Sequence, residues 1–234
     1  MEQQEYRALF FDADDTIFDY QKGEHEAFRS TADAFGFGDR LDEAHELYRG
    51  HNSDVWSALE EGRITQDELK IERFRRMLHD LVADEDRAPA MSAFYIDRLA
   101  EQTHLLPGAE QLLRDAADRY LLVLVTNGLT TVQRRRFAAA PVTRHFRKIL
   151  ISEEVGTAKP DPAIFSEAFE DYGLVPREVL LIGDSSSSDM GAAHNAGMDF
   201  CWLNPAGGEA PDGYNPRYVI SRLDEIRPIL GLED

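Results

Sequence analysis

Residues 6–16 read Tyr-Arg-Ala-Leu-Phe-Phe-Asp-Ala-Asp-Asp-Thr, and this stretch decides the fold. The apolar run from Tyr6 to Phe11 has the length of one strand and ends directly before Asp12. A short apolar run of this kind is typical of a strand buried in a parallel sheet. Asp12 and Asp14, two residues apart on the following turn, can point into one crevice. One carboxylate could attack a substrate while the other moves a proton.

The C-terminal part of the chain alternates strand-like runs with helical periodicity. Further strands are predicted at Tyr120–Val125, Lys148–Ile151, Val179–Ile182, Phe200–Leu203 and Tyr218–Ile220. Helices are predicted at Gly108–Arg119, Thr131–Ala139, Pro162–Tyr172 and Ser188–Ala196. This alternation predicts an α/β fold with a Rossmann-like parallel sheet that carries helices on both faces. Such sheets bind ligands at the carboxyl ends of their strands.

Residues 17–103 lack strand-like runs and show helical periodicity. Thr65 followed by Glu68 is a capping box, which marks the beginning of a helix. The predicted core positions of that helix are Leu69, Phe74, Met77, Leu78 and Leu81. The stretch therefore predicts a small helical bundle inserted after the first strand. We expect one domain from residues 1–16 and 104–234, and a second from residues 17–103.

The composition excludes several classes of protein. A formal net charge of -19 repels nucleic-acid polymers and anionic membranes, although a bound cation can still attract a small anion. The acidic, lysine-poor surface fits a salty cytoplasm or an ordinary acidic enzyme, and we favour the latter. The N-terminus is polar, no apolar run has the length of a membrane span, and Cys201 is the single cysteine. We expect a cytoplasmic protein without an internal disulfide.

Polar residues also follow the other predicted strands. Thr126, Asn127 and Gly128 offer a hydroxyl and backbone N–H groups for an anion, although a helix cap or a tight turn is the better explanation when this cluster is taken alone. Lys159, before Pro160, can neutralise charge on a transferring phosphoryl group or lie on the surface as a solvated lysine.

Two acidic residues complete this set. Asp184 comes directly after a strand and suits a hard cation such as Mg²⁺, which prefers carboxylate oxygens. Asp189, five residues further on, could hold a metal-bound water or orient Lys159. The alternative is that both belong to a flexible serine-rich turn.

In order along the chain, these motifs are Asp-x-Asp, Thr, Lys-Pro and Gly-Asp-x₄-Asp. This pattern resembles the haloacid dehalogenase (HAD) superfamily over nearly the whole chain, including members whose helical cap follows the first strand. The resemblance implies that Asp12 is the nucleophile and Asp14 the general acid and base. It implies phosphoryl binding by Thr126, Asn127 and Lys159, and Mg²⁺ held by Asp12, the Asp14 carbonyl and Asp184, with support from Asp189.

The second acid separates activities within the superfamily. Dehalogenases lack it, so Asp14 favours a phosphatase that forms an aspartyl-phosphate, although phosphomutases also keep both acids. The chain is further similar to pyrimidine 5′-nucleotidases of the YjjG/YfnB type, because Asp15 replaces the usual glycine. Further matches are Trp56, Glu60–Thr65, Arg73-Phe74, Asn195-Ala196-Gly197 and Cys201-Trp202-Leu203-Asn204.

This narrower resemblance implies a small phosphorylated substrate, most simply a nucleotide such as UMP, dUMP or dTMP. Asn52, Trp56 and Arg73 of the cap would then contact the base and sugar. A phosphoglycolate or sugar-phosphate phosphatase is the alternative with the same core. A phosphoacceptor signalling module is the alternative from another class, and the sequence leaves open whether the protein is a monomer or a homodimer.

Overall fold

The computed structural model describes residues 5–232 and divides into two compact units. The sheet unit comprises the residues up to Tyr20 and those from Thr103 onward, and the helical unit comprises Gln21–Gln102. Residues 1–4, which belong to the polar N-terminus on which the expected cytoplasmic location partly rests, lie outside the described residues. That the helical unit serves as a cap stays a prediction.

The sheet unit is built on six parallel strands, which confirms the predicted fold class. The strands lie in the order β3-β2-β1-β4-β5-β6. Their bounds are β1 Ala8–Phe11, β2 Leu121–Thr126, β3 Lys148–Ile151, β4 Val179–Gly183, β5 Asp199–Leu203 and β6 Tyr218–Ile220. Phe10 lies opposite Val123 on one side and Leu181 on the other. The strand that carries Asp12 at its end is thus in the middle of the sheet, at the switch point where ligands bind.

Both faces of β1 are buried, as its continuous apolar sequence predicts. Leu9 and Phe11 belong to the hydrophobic core on one face of the sheet, and Ala8 and Phe10 to the core on the other. The helices of this unit after Thr103 are α5 Ala109–Ala117, α6 Thr130–Ala139, α7 Ser152–Val155, α8 Ser166–Tyr172, α9 Asp189–Ala196 and α10 Ile226–Ile229. The chain has the alternating strand and helix order that the sequence predicts.

Four helices account for the helical unit, namely α1 Tyr20–Ala34, whose first residue belongs to the sheet unit, α2 Leu41–Glu60, α3 Gln66–Asp80 and α4 Ala88–Leu99. The predicted capping box is confirmed, because the Glu68 N–H donates to Thr65 Oγ1 and the Thr65 N–H to Glu68 Oε2. All five predicted core positions of this segment are buried. No helix among residues 5–232 is long and apolar enough to cross a bilayer.

The segment Pro162–Tyr172, predicted as one helix, differs in its first turn. Pro162–Phe165 forms a 3₁₀ turn, and the α-helix begins at Ser166. Asp161 caps this turn, because its side chain accepts a 2.9 Å hydrogen bond from the Ala163 N–H. Proline lacks an N–H and has a fixed φ, so it fits the first turn of a 3₁₀ helix as well as that of an α-helix.

Among the described residues, Val82 is the β-branched residue with a positive φ. This backbone conformation should lower the stability of the protein. Val82 follows α3 with φ 54° and is 93% exposed. Left-handed backbone at this position is usual for glycine and costs an L-residue about 1–2 kcal/mol. We expect Val82→Gly to raise the free energy of unfolding by about 1 kcal/mol, since the flexibility of the unfolded glycine offsets part of the gain. Urea denaturation measures the change.

Val219→Gly is the matched control, because Val219 is also exposed but lies in β6. Glycine weakens a strand, so this variant should be less stable than the parent protein. A Val82→Gly protein that unfolds at a lower urea concentration than the parent would contradict the strain argument.

Candidate active site

The carboxyl ends of three neighbouring strands bring the predicted polar residues together. Asp12 follows β1, and its N–H donates to the carbonyl oxygen of Ile182 at 2.9 Å. Thr126 is the last residue of β2, and Asp184 directly follows β4. Because adjacent parallel strands end at one edge of the sheet, residues far apart in sequence share one site.

The ammonium group of Lys159 lies at the centre of this site. Its Nζ contacts Asp12 Oδ1 at 2.5 Å, Asp189 Oδ1 at 2.7 Å and the Val125 carbonyl oxygen at 3.1 Å. The residue is 2% exposed. An ammonium group has three donors, and all three have acceptors here. The buried charge is therefore paired, as burial requires.

The charges of this pair depend on each other. Burial raises the pKa of Asp12 well above its usual value, the Lys159 ammonium opposes this, and Asp189, Asp184 and Asp14 add to it. Burial also acts against the charge of Lys159, but Asp12 and Asp189 together raise the pKa of its ammonium above the usual value. Lys159 thus stays protonated. Its positive charge favours the ionised form of the Asp12 carboxyl group.

Asn127 holds the backbone of Lys159. The Asn127 side-chain amide donates to the Lys159 carbonyl oxygen at 2.8 Å, and its side-chain oxygen accepts from the Lys159 N–H at 2.9 Å. This reciprocal pair joins the loop after β2 to the loop that carries the lysine. Because these bonds occupy the side chain of Asn127, its backbone N–H is the group left for the predicted phosphoryl contact.

Asp189 contacts Lys159 directly, as expected for one of the two roles that the sequence leaves open. The side chain is 1% exposed, and its second oxygen accepts a 3.1 Å hydrogen bond from the Ser185 N–H. Gly183 makes room for it, because a Cβ at Gly183 would lie 2.7 Å from the Asp189 Cβ. A glycine at the end of β4 is therefore a requirement of the site.

The acidic residues can hold a cation. Carboxylate oxygens of Asp12, Asp184 and Asp189 lie within 4.8 Å of one another. Burial raises the pKa of Asp184 to about 7, and the negative charge of Asp189 contributes. Three carboxylates face one ammonium group, so a divalent cation would neutralise the excess charge, and oxygen ligands are those that Mg²⁺ prefers. The donor set fits this ion.

Two residues of α6 that the sequence reasoning missed hold the Asp14 carboxylate. Gln133 Nε2 donates to Asp14 Oδ2 at 2.7 Å, and Arg136 Nη2 forms an ion pair with Asp14 Oδ1. Both α6 side chains are buried. They are three residues apart on the helix that follows the Thr126 loop, so they share a face. That spacing was the available signal.

A third missed residue is Trp202, whose Nε1 donates to the Asp184 carbonyl oxygen at 2.8 Å. Thr16 also contacts Asp184, through Oγ1 and Oδ1 at 3.4 Å. These two contacts fix the position of Asp184. The sequence indicates Trp202 only as part of a family motif.

The three predicted substrate contacts lie in the helical unit. Arg73 is 1% exposed, and its Nη1 donates to Asn52 Oδ1 at 2.9 Å and to the Tyr48 hydroxyl at 3.2 Å. Its guanidinium carbon also lies 5.0 Å from the ring centroid of Tyr95. This interior position counts against the expectation that Arg73 contacts substrate, and it occupies the Asn52 side-chain oxygen. Trp56 is partly exposed.

The family follows from a match to known proteins. The model of the haloacid dehalogenase-like hydrolase family matches residues 9–203, which include every core motif described above. The chain therefore belongs to the HAD-like hydrolase family. Its fold, its acidic site and its relatives define it as a HAD-family phosphatase, a phosphoric monoester hydrolase.

Particular relatives cover almost the whole chain. The HAD-hydrolase YfnB of Bacillus subtilis is 33% identical and aligns with 98% of this chain and 97% of its own. The magnesium-bound crystal structure of YfnB superimposes with a TM-score of 0.86 at 31% identity, covering 97% of this chain and 99% of that one. The pyrimidine 5′-nucleotidase YjjG of Escherichia coli is 32% identical over 95% of this chain and 96% of its own. The pyrimidine 5′-nucleotidase PynA of Streptococcus pneumoniae is 31% identical, with 94% and 93% covered.

The central ion pairs lead to a prediction about stability. Lys159→Met would leave the buried carboxylates of Asp12 and Asp189 without their cation. We expect this to lower the free energy of unfolding by about 3–5 kcal/mol, which is the usual cost of removing one partner from a buried ion pair. Urea denaturation in the presence of a chelator measures the change.

Lys148→Met is the matched control. Lys148 also contacts two carboxylates, those of Glu167 and Asp171, but both partners are more than half exposed. Exposed pairs contribute about 0–1 kcal/mol, so the control should unfold almost as the parent protein does. Equal losses for the two variants would show that the Lys159 pairs do not have the energetic role assigned to them.

Proposed function

We propose that this protein is a magnesium-dependent phosphatase that hydrolyses pyrimidine nucleoside 5′-monophosphates through an aspartyl-phosphate on Asp12. One observation carries the proposal, namely the Lys159 ammonium group 2.5 Å from Asp12, beside two further carboxylates. The arrangement supplies a nucleophile, a fixed positive charge and a cation site at one strand end. Phosphoryl transfer depends mainly on such positioning and charge.

In the first half of the reaction, an Asp12 oxygen attacks phosphorus and the bond from phosphorus to the ester oxygen breaks. Lys159 and the Thr126 hydroxyl would bind the phosphoryl oxygens and stabilise their charge. Asp14 gives a proton to the departing alcohol oxygen. The products of this half are the free nucleoside and a phosphorylated Asp12.

In the second half, water attacks the phosphorus of the phosphorylated Asp12. Asp14, now a carboxylate, takes the proton from that water. The bond between phosphorus and the Asp12 oxygen breaks, which releases inorganic phosphate and restores the Asp12 carboxylate. Asp14 thus donates and accepts one proton in each cycle, and a single residue suffices for both halves.

The cation would be held by Asp12, Asp184 and the backbone carbonyl of Asp14, with Asp189 in support. When bound, Mg²⁺ would neutralise charge on the carboxylates and the phosphoryl group, so that two anions can approach. The protein's own contribution is to keep these oxygens in place. Trp202 and Thr16 do so for Asp184, and Ser185 does so for Asp189.

The choice of a pyrimidine nucleotide rests on similarity to YjjG and PynA, which are named as pyrimidine 5′-nucleotidases and align over nearly the full chain. Trp56, which is partly exposed, is the residue that we retain as a contact for a base, since bases stack on aromatic rings. Family membership and Asp14 favour a hydrolase over a phosphoacceptor signalling module. A sugar-phosphate phosphatase remains the competing assignment.

Asp12→Asn tests the nucleophile. The amide keeps the shape of the side chain but is a poor nucleophile, so we expect turnover to fall by roughly 10⁴-fold or more. Release of inorganic phosphate measures it, and circular dichroism checks the fold. Asp118→Asn is the control, because Asp118 is an exposed residue at the end of α5. Phosphate release from Asp12→Asn at the parent rate would refute the mechanism.

A substrate panel tests the specificity. We expect kcat/KM to be highest for pyrimidine nucleoside 5′-monophosphates, ahead of purine nucleotides, phosphoglycolate and sugar phosphates. Each compound is assayed with Mg²⁺ and with a chelator, and the chelator should stop turnover until Mg²⁺ is restored. A sugar phosphate that exceeds every pyrimidine nucleotide would replace the nucleotidase assignment and leave the phosphatase assignment intact.

A further inference from the structure

The side-chain amide of Gln133 joins two groups of the site. Nε2 donates one hydrogen to Asp14 Oδ2 at 2.7 Å and the other to Thr126 Oγ1 at 3.0 Å. Gln133 is 1% exposed, so water does not compete for these bonds. A single neutral side chain thus contacts both the residue assigned to proton transfer and the hydroxyl assigned to phosphoryl binding.

The Thr126 hydroxyl accepts two hydrogen bonds. One comes from Gln133 and the other from the Gly128 N–H, also at 3.0 Å. A hydroxyl has two acceptor lone pairs and one hydrogen, so both lone pairs are in use. Its hydrogen is therefore left to donate, and a phosphoryl oxygen at the end of β2 is an acceptor that it can reach. A hydroxyl whose oxygen already accepts two hydrogen bonds can donate to an anion but cannot accept a further hydrogen bond.

Asp14 determines which way the Gln133 amide faces. In the ionised form that the second half of the reaction uses, the Asp14 carboxylate only accepts hydrogen bonds, so it requires Nε2 rather than Oε1. The reversed amide would place Oε1 against that carboxylate and let Thr126 donate to Gln133 instead of to substrate. Within the described chain, Gln133 Oε1 is buried without a hydrogen-bond partner. The two hydrogen bonds from Nε2 therefore fix the orientation of the amide, although this orientation leaves Oε1 without a hydrogen-bond partner.

Two neighbours hold this arrangement rigidly. A Cβ at Gly128 would lie 2.9 Å from Gln133 Cδ and 3.0 Å from Cγ, so the loop packs directly on the amide. Arg136 holds the other oxygen of Asp14, and its guanidinium carbon lies 4.5 Å from the ring centroid of Phe18. Both oxygens of the Asp14 carboxylate are thus held from one helix.

We propose that Gln133 is a positioning residue, which forces the Thr126 hydroxyl to donate to the phosphoryl group and at the same time orients Asp14. The proposal rests on the roles given to Thr126 and Asp14 in the proposed function. Gln133 itself touches neither substrate nor the transferred group. It acts through two hydrogen bonds, and removing them affects phosphate binding and proton transfer together.

The test compares Gln133→Met, Thr126→Val and the double variant, with Gln111→Met as control. Gln111 is an exposed glutamine whose amide contacts Asp115. We measure kcat/KM for p-nitrophenyl phosphate and for an alkyl phosphate, and the inhibition constant of inorganic phosphate. Removing the hydrogen-bond partner of a metal ligand commonly costs about 10–100-fold in metal affinity or activity, and we take the same range for the partner of Thr126 and Asp14. We expect a loss of that size for Gln133→Met and none for the control.

Three further features identify the role. The loss in kcat/KM should be greater for the alkyl than for the aryl ester, because an alkoxide needs the proton from Asp14 and nitrophenolate does not. The inhibition constant of phosphate should rise for Gln133→Met as it does for Thr126→Val. The double variant should bind phosphate about as weakly as Thr126→Val alone, because residues that act through one another are not additive.

Gln133→Glu gives a second variant of nearly the same shape. It replaces the donor with an acceptor beside Asp14, so its loss should equal or exceed that of Gln133→Met. Parent-like phosphate inhibition and equal losses for both esters in a folded variant would overturn the proposal, as would additive losses in the double variant. If the parent protein hydrolyses no phosphate ester, the proposed function fails, and titration of inorganic phosphate into the same variants still tests Gln133.

Discussion

The buried ammonium group of Lys159 is the constraint on which the site depends. It must find three acceptors away from water, and two of them are the carboxylates of Asp12 and Asp189. A buried ion pair of this kind is weak evidence for stability, since well-packed apolar residues often serve as well. Its presence at the carboxyl edge of a parallel sheet is better explained by the proposed chemistry, because its positive charge opposes the effect of burial and favours the charged form of Asp12, the proposed nucleophile.

Meeting that constraint requires contributions from several parts of the chain. Asn127 fixes the backbone of the lysine, and Gly183 leaves space for Asp189. Ser185 occupies the second oxygen of Asp189, so that its first oxygen stays with the lysine. Each of these residues acts at short range, yet together they connect the ends of β2 and β4 to the loop that follows β3. The sheet supplies the positions, and these contacts supply the orientation.

The sequence predicted the parts of the structure that follow from local pattern. Apolar runs ending in Asp12, Thr126 and Asp184 predicted the parallel strands, because burial on both faces leaves a continuous signal. The capping box at Thr65 predicted a helix start for an equally local reason. The spacing of Gln133 and Arg136 indicates a shared helix face, but it does not show that this face meets Asp14, because Gln133 and Asp14 are 119 positions apart. The burial of Arg73 was not predictable for a related reason, since an arginine enclosed by aromatic rings looks the same in sequence as one that faces a ligand.

The net charge of the protein limits the kinds of anionic substrate that its site can bind. A net charge of -19 opposes the approach of long polyanions, whose many phosphates cannot all be neutralised in one site. A small phosphate monoester carries its charge on one group, and that group can meet a single ammonium ion, one hydroxyl and one divalent cation. The three carboxylates around Lys159 leave an excess of negative charge at the site itself, so the affinity for an anionic ester depends on that cation. In the proposed function, the same acidic residues that would hold the cation thereby favour small phosphorylated substrates.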